Sequence, residues 1–202
     1  MRTRMMIART LSGVAGAAAV GLLVLSGEVH GDEDAMRMIR WDIQHYPNLV
    51  LQAGGRAFAD AVDGSKIKLT GSGTFETDGH HATGGGTWQT FAPTGALTGS
   101  GTYRVLNVVS WSVAPGTLPC PPLTDEIAPC ADARAGLAVF QIRYSGGGEG
   151  KLVVSCHLPV GSPNAMYEGI TVSRGFVDYY LPENPDLTMN GTIFHVVVGG
   201  DN

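Results

Sequence analysis

Apolar and polar residues alternate along most of this chain, in short runs broken by glycine-rich turns. Alternation of period two places one set of side chains on each face of a pleated strand. Ser65–Thr77 shows it best: Ile67, Leu69, Gly71, Gly73 and Phe75 share one face, and Lys66, Lys68, Thr70, Ser72, Thr74 and Glu76 the other. The same period predicts strands over Met38–Ile43, Arg56–Val62, Thr83–Phe91, Leu97–Val113, Gly136–Tyr144, Lys151–Leu158, Gly169–Tyr180 and Thr192–Val198, with a short piece at Leu49–Leu51. Ile39, Trp41 and Ile43 fall on one face of the first. Tyr103, Val105, Val109, Trp111 and Val113 are expected together on one side of Leu97–Val113. Ala138, Phe140, Ile142 and Tyr144 align in turn, as do Leu152, Val154, Cys156 and Leu158. Asp63-Gly64 is a strong two-residue hairpin turn, because a type I′ turn needs positive φ at both central places. Helical periodicity is nearly absent, with one turn expected at Asp32–Arg37.

About eight antiparallel strands joined by tight turns form a meander, which either closes into a barrel or packs as a sandwich. Closure is favoured. The strands near 65–77 and 97–113 are long, and glycines inside them (Gly71, Gly73, Gly99, Gly101) permit the bends a small barrel needs. A closed ring also removes edges open to aggregation. A β-sandwich is the alternative.

Composition narrows the class. The chain has 202 residues, of which 29 Gly and 11 Pro make about a fifth. Charged residues are 15 %, and 44 % are hydrophobic. A disordered chain needs fewer apolar residues and more charge, a collagen needs glycine at every third place, and a helical bundle needs far more Ala, Glu, Lys and Arg.

The first 31 residues read as a bacterial-type signal peptide. Arg2, Arg4 and Arg9 form a basic start, and Leu11–Leu25 is an apolar stretch of 15 residues, short of the ~20 needed for a membrane span. Cleavage after Gly31 fits best; an uncleaved N-terminal anchor is the alternative. Residues 32–202 are then one exported β-barrel domain, secreted or periplasmic, with no further membrane span. Removing residues 1–31 leaves ten basic against seventeen acidic residues, with no cluster of cations. That argues against nucleic acid as a partner, since phosphate neutralisation needs clustered Lys and Arg.

In an oxidising compartment two of the three cysteines are expected to pair. Cys120 and Cys130 flank a Pro-rich loop covering roughly 114–133, and a bridge there would contribute about 2.5–3 kcal/mol by loop entropy. Cys156, in an apolar strand, would be the odd thiol. The rival pairing ties Cys156 to a loop cysteine. No Cys-x-x-Cys occurs, and no metal or other cofactor is expected.

Three units repeat the pattern Gly-x-Gly-Thr-aromatic: Gly71–Phe75, Gly84-Gly85-Gly86-Thr87-Trp88, and Gly99–Tyr103. They lack the helix and Lys of a phosphate loop. Glycine here makes room for a neighbouring ring. The sharper possibility is a ligand cleft lined by Trp88, Tyr103 and Trp111. These units, with Glu168-Gly169-Ile170-Thr171-Val172, resemble a group of secreted bacterial all-β proteins to which no activity is attached. The hairpins also resemble the barrel of allene-oxide-cyclase-like proteins. That resemblance implies a barrel with an internal apolar pocket, and no catalytic residue is carried over from it.

Catalytic motifs are absent: there is no Gly-x-Ser-x-Gly elbow and no His-Glu-x-x-His. His80, His81 and Asp78 share a turn and could in principle meet one ion, but a solvated polar turn is the commoner outcome. His195 is expected half buried in a strand. His157 and Cys156 take opposite faces and cannot form a catalytic pair. Ser145 and Ser155 have no visible base. Glu168, Asp178, Glu183 and Asp186 flank the 169–180 strand, and such turn-flanking acids are usually solvated. The favoured function is a non-catalytic barrel, structural or binding a small apolar ligand. The alternatives are a small isomerase- or cyclase-type enzyme, or an envelope or surface protein that uses the 114–133 loop as its contact.

Overall fold

The computed structural model describes residues 38–79, 81–186 and 188–197. The expected signal peptide, the turn at Asp32–Arg37, His80 and Val198 lie outside them. The described residues contain no α-helix, only two 3-10 turns at Pro47–Leu49 and Cys130–Asp132. The strands in chain order are β1 (Met38–His45), β2 (Val50–Ala53), β3 (Ala57–Asp60), β4 (Lys66–Leu69), β5 (Ser72–Glu76), β6 (Gly85–Phe91) and β7 (Leu97–Ala114). There follow β8 (Thr124–Asp125), β9 (Ala133–Tyr144), β10 (Glu149–Cys156), β11 (Gly169–Arg174), β12 (Val177–Tyr179), β13 (Leu181–Pro182) and β14 (Gly191–Val197).

The protein is an antiparallel all-β barrel. Its closed ring runs β1–β5–β6–β7–β9–β14 and back to β1, six strands in all. The two ends of the described chain close it, with Met38 opposite Val197 and Gln44 opposite Gly191. The other strands extend outside the ring. β4 and β5 are two halves of one strand, as the alternation over 65–77 predicts. They hold a single register against β6, Leu69 opposite Trp88 and Ser72 opposite Gly85. What divides them is their other edge, where β4 pairs with β3 and β5 with β1. β9 changes partner in the same way, between β10 and β14.

The ring is filled, not hollow. Trp41, Phe75, Phe140 and Phe194 are fully buried inside it. Phe75 meets Phe140 and Phe194 edge-on, with centroids 5.5 and 6.3 Å apart. The predicted inner-face side chains of β1, β4–β5, β9 and β10 are buried, with Gly71 and Gly73 half-buried. The glycine-rich units serve this packing. Trp88 lies opposite Gly101, where a Cβ would stand 2.9 Å from the indole nitrogen. At Gly73 a Cβ would fall 2.2 Å from the Thr83 carbonyl oxygen and 2.8 Å from Trp41 Nε1.

Two details depart from simple alternation. β7 has register shifts between Val105 and Asn107 and between Val108 and Ser110. Each bulge inserts a residue and flips the face of all that follow. Hence Tyr103, Val105 and Val108 are buried, while Val109 is 50 % exposed. Val113 is also exposed, on a stretch of β7 that β6 does not reach. Gly169–Tyr180 is not one strand but the hairpin β11–β12, turning at Gly175-Phe176 with Gly175 at φ +62.

Cys120 and Cys130 form a disulfide, and Cys156 is a buried free thiol. The loop they staple folds back on the barrel. Its β8 pairs in parallel with β2, and Thr117 bridges to Val160.

Candidate functional site

Between this loop and the side of the barrel lies a cavity of about 330 Å³. Its apolar wall comes from four places: Leu51 of β2, Leu118 and Leu123 of the disulfide loop, Pro159 beyond β10, and Pro185 ahead of β14. Tyr46, His157 and Glu168 add the polar atoms.

Glu168 reaches this position through strand pairing. Ser155 lies opposite Gly169 in the β10–β11 ladder, which sets Glu168 beside the end of β10. Its Oε2 accepts the His157 N–H, and its Oε1 accepts the Thr192 N–H. Thr192 Oγ1 lies 3.0 Å from the same Oε1 and 2.6 Å from the Ser155 carbonyl oxygen. A hydroxyl has one proton. If Thr192 donates to the closer Ser155 carbonyl, Glu168 satisfies Oγ1 best by donating a proton of its own. Electrostatics agree. Burial raises the Glu168 pKa to about 8, against the pull of its bonds from His157 and Thr192. Burial, then the Glu168 and Asp186 carboxylates, raise the Tyr46 hydroxyl. Burial, then Glu168, push the Cys156 thiol well above its ordinary value, so it is a poor nucleophile.

The loop that roofs the cavity is anchored by a buried pair. His195 Nε2 stands 2.8 Å from Asp125 Oδ2, and both side chains are shut off from solvent. Asp125 Oδ1 also accepts the N–H groups of Ile127 and Ala128. Burial alone would raise the Asp125 pKa, but the His195 bond and these two N–H bonds outweigh it and hold the carboxyl below its usual range. No nucleophile adjoins the pair in these contacts; its visible role is to fasten the loop to β14.

The aromatics singled out from the Gly-Thr units sit elsewhere. Trp88 is buried, donates Nε1–H to the Thr102 carbonyl, and packs edge-on against Tyr144 at 5.8 Å with the Arg174 guanidinium 3.8 Å over its ring. Tyr103 is buried and its hydroxyl donates to the Thr70 carbonyl at 2.9 Å. Trp111 packs edge-on against Phe75 and Phe194 inside the ring. Tyr103 borders a small depression of about 160 Å³ beside Arg104 and Arg143, and Trp88 a wide groove of about 820 Å³ on the outer face of β4, β6 and β7. That groove is larger than the Glu168 cavity but polar and open, and its Thr70 and Thr87 hydroxyls already bond each other at 2.8 Å. The Glu168 cavity is apolar-walled, with one part-buried carboxyl.

Of the remaining candidates, Asp178 and His81 are exposed, and others have structural partners. Glu183 pairs with Lys66, and Asp186 caps the N–H groups of Thr188 and Met189. Ser145 Oγ accepts the Thr102 N–H, and Ser155 Oγ donates to the Tyr167 carbonyl. Among the described residues no three His, Cys, Asp or Glu side chains are grouped to hold a metal ion, and no helix is long and apolar enough to cross a membrane.

No family model matches the chain, and no curated protein and no solved structure is significantly similar to it. The functional reading therefore stands on the geometry alone.

Proposed function

We propose that this chain is an exported, non-catalytic barrel that binds a small, largely apolar molecule beneath its disulfide loop. The observation that carries this is the Glu168 cavity itself. It is apolar-walled, partly enclosed, and at the small end of the ~300–1,000 Å³ range of ligand pockets. Export is supported by the basic-then-apolar N-terminal pattern and by the Cys120–Cys130 disulfide, which favours an oxidising compartment. The barrel interior is already packed with its own aromatic rings, which leaves the loop-covered flank for a guest.

An amide NMR titration with n-hexanol tests this. Saturable shifts are expected at Leu118, Leu123, His157 and Thr192. Shifts scattered over the surface, or none that saturate, would refute it.

A further inference from the structure

Resting on that reading, we infer that the cavity is built for a ligand with an apolar body and a protonated amine head, with Glu168 as the counter-ion. The first ground is the polar inventory. No Lys or Arg lines the cavity, so no permanent cation there would compensate an anionic head, and His157 is its one protonatable base. The second is acceptor capacity. An ionised carboxylate offers about four lone-pair positions. Two N–H groups and at most one hydroxyl occupy three of them at Glu168, and none of these donors is a cation. A position remains for an N–H⁺ donor, the stronger kind of partner for a carboxylate. The third is the surrounding field. The titratable groups beside Glu168 are Tyr46 just past β1 and Cys156 and His157 at the end of β10; Asp186 acts on Tyr46 and does not line the cavity. Thr192 of β14 and the leucines of the disulfide loop add no charge. One carboxyl without a cationic partner and a phenol ring make this a place for a cation.

The proton balance follows. In the empty cavity Glu168 holds its proton at neutral pH. When an ammonium enters, the Glu168 O–H bond breaks, the proton passes to bulk water, and an N–H⁺···⁻O pair forms. Binding of an amine thus releases a proton, and by linkage it tightens as pH rises. A neutral guest of the same length leaves the carboxyl protonated and binds without pH dependence.

The test compares n-hexylamine, n-hexanol and hexanoate by calorimetry, in two buffers of different ionisation enthalpy. For the amine at pH 6.5 the expected release is about one proton per site, with affinity rising up to roughly tenfold per pH unit from about 6 to 8 and then levelling. Hexanol should bind with no proton release and a flat profile, and hexanoate should not bind. In Glu168→Gln the amine should lose its pH dependence and bind more weakly than hexanol, because its charge then has no counter-ion. Proton release is read on the unaltered chain, so it holds as a test even if the variant folds poorly. Equal binding of amine and alcohol with no proton release would overturn the amine selectivity and leave apolar binding intact. Failure of every probe to bind would overturn both.

Discussion

The part-buried Glu168 carboxyl makes the stability of this protein depend on pH in a particular direction. In the unfolded chain it titrates near its ordinary value of 4.5, and in the fold at about 8. Between those values the folded state holds a proton that the unfolded state has released. Stability from this group is therefore complete below pH 4.5, falls as pH rises, and levels off above pH 8. The slope is about 1.4 kcal/mol per pH unit, and the fall over the whole window is about 5 kcal/mol at most. Water entering beside the ionised carboxyl would reduce it. Even half that amount matters against a typical total of ~5–15 kcal/mol. Glu168→Gln isolates the effect. The amide sets an NH2 group against either the His157 or the Thr192 N–H, a mismatch that costs stability but does not titrate. Urea unfolding of both proteins at pH 5.5, 6.5 and 7.5 gives the assay. The difference in unfolding free energy, wild type minus variant, is expected to shrink by roughly 1 kcal/mol or more per pH unit. Parallel pH profiles would show that Glu168 is already ionised in the fold and refute both its burial and its role as a proton reservoir.

Three further outcomes follow from the packing. Gly73→Ala should cost roughly 3 kcal/mol by urea unfolding, because the added methyl meets the Thr83 carbonyl and the Trp41 ring within the barrel wall; a loss below about 0.5 kcal/mol would mean that the wall yields freely. Replacing Cys120 and Cys130 together by Ser should lower stability by about 2–3 kcal/mol and weaken n-hexanol binding several-fold, measured by unfolding and NMR titration; unchanged binding would show that the loop does not form the cavity roof. Asp125→Ala strands His195 in an apolar layer and frees the loop, at a cost of about 3 kcal/mol; amide exchange across Leu123–Ala128 should speed up, and protection equal to wild type would refute the anchor.

The regular part of this fold was legible because its strands alternate and its turns are marked. The paired faces of 65–77 and the inner face of Ala138–Tyr144 follow from local pattern, and so does a hairpin at Asp63-Gly64. Its loop, however, is the three residues Val62–Gly64 and only Gly64 has positive φ, so it is not the type I′ turn expected. The Cys120–Cys130 bridge, which spans one irregular loop, follows from local pattern too. Alternation stopped being a guide where β7 bulges. Leu106 is one extra residue and Val109 itself the other, so the phase shifts at Val108 and is restored by Trp111, and no turn residue marks either one. The Gly175-Phe176 turn did leave a trace: the apolar phase shifts from Ile170 and Val172 to Val177 and Tyr179. The aromatics of the Gly-Thr units were conspicuous in sequence because of their packing role. Glu168 was inconspicuous, an acid ahead of a strand. Its enclosure depends on Leu51, Leu118 and Pro185, each at least 17 positions away along the chain, which no local pattern encodes.

The cavity lies outside the ring for a physical reason. A six-stranded barrel has little interior, and Trp41, Phe75, Phe140 and Phe194 fill it. Space for a guest arises where a surface loop is held off the barrel by fixed struts. Here the struts are the disulfide, the β2–β8 pairing, the Thr117–Val160 bridge and the Asp125–His195 pair. A roof held at four points keeps its shape without a ligand, so little ordering entropy is lost on binding. β14 joins this roof to the chemistry beneath it. His195 fastens the loop from one face of the strand, and Thr192, three residues earlier, bonds Glu168 from the other. Successive odd and even positions on a strand point to opposite faces, so one strand can serve both without either side chain crowding the other. The same strand closes the barrel against β1. Loosening β14 would thus open the ring, release the loop and let water reach Glu168 together, and the site and the fold share one weak point.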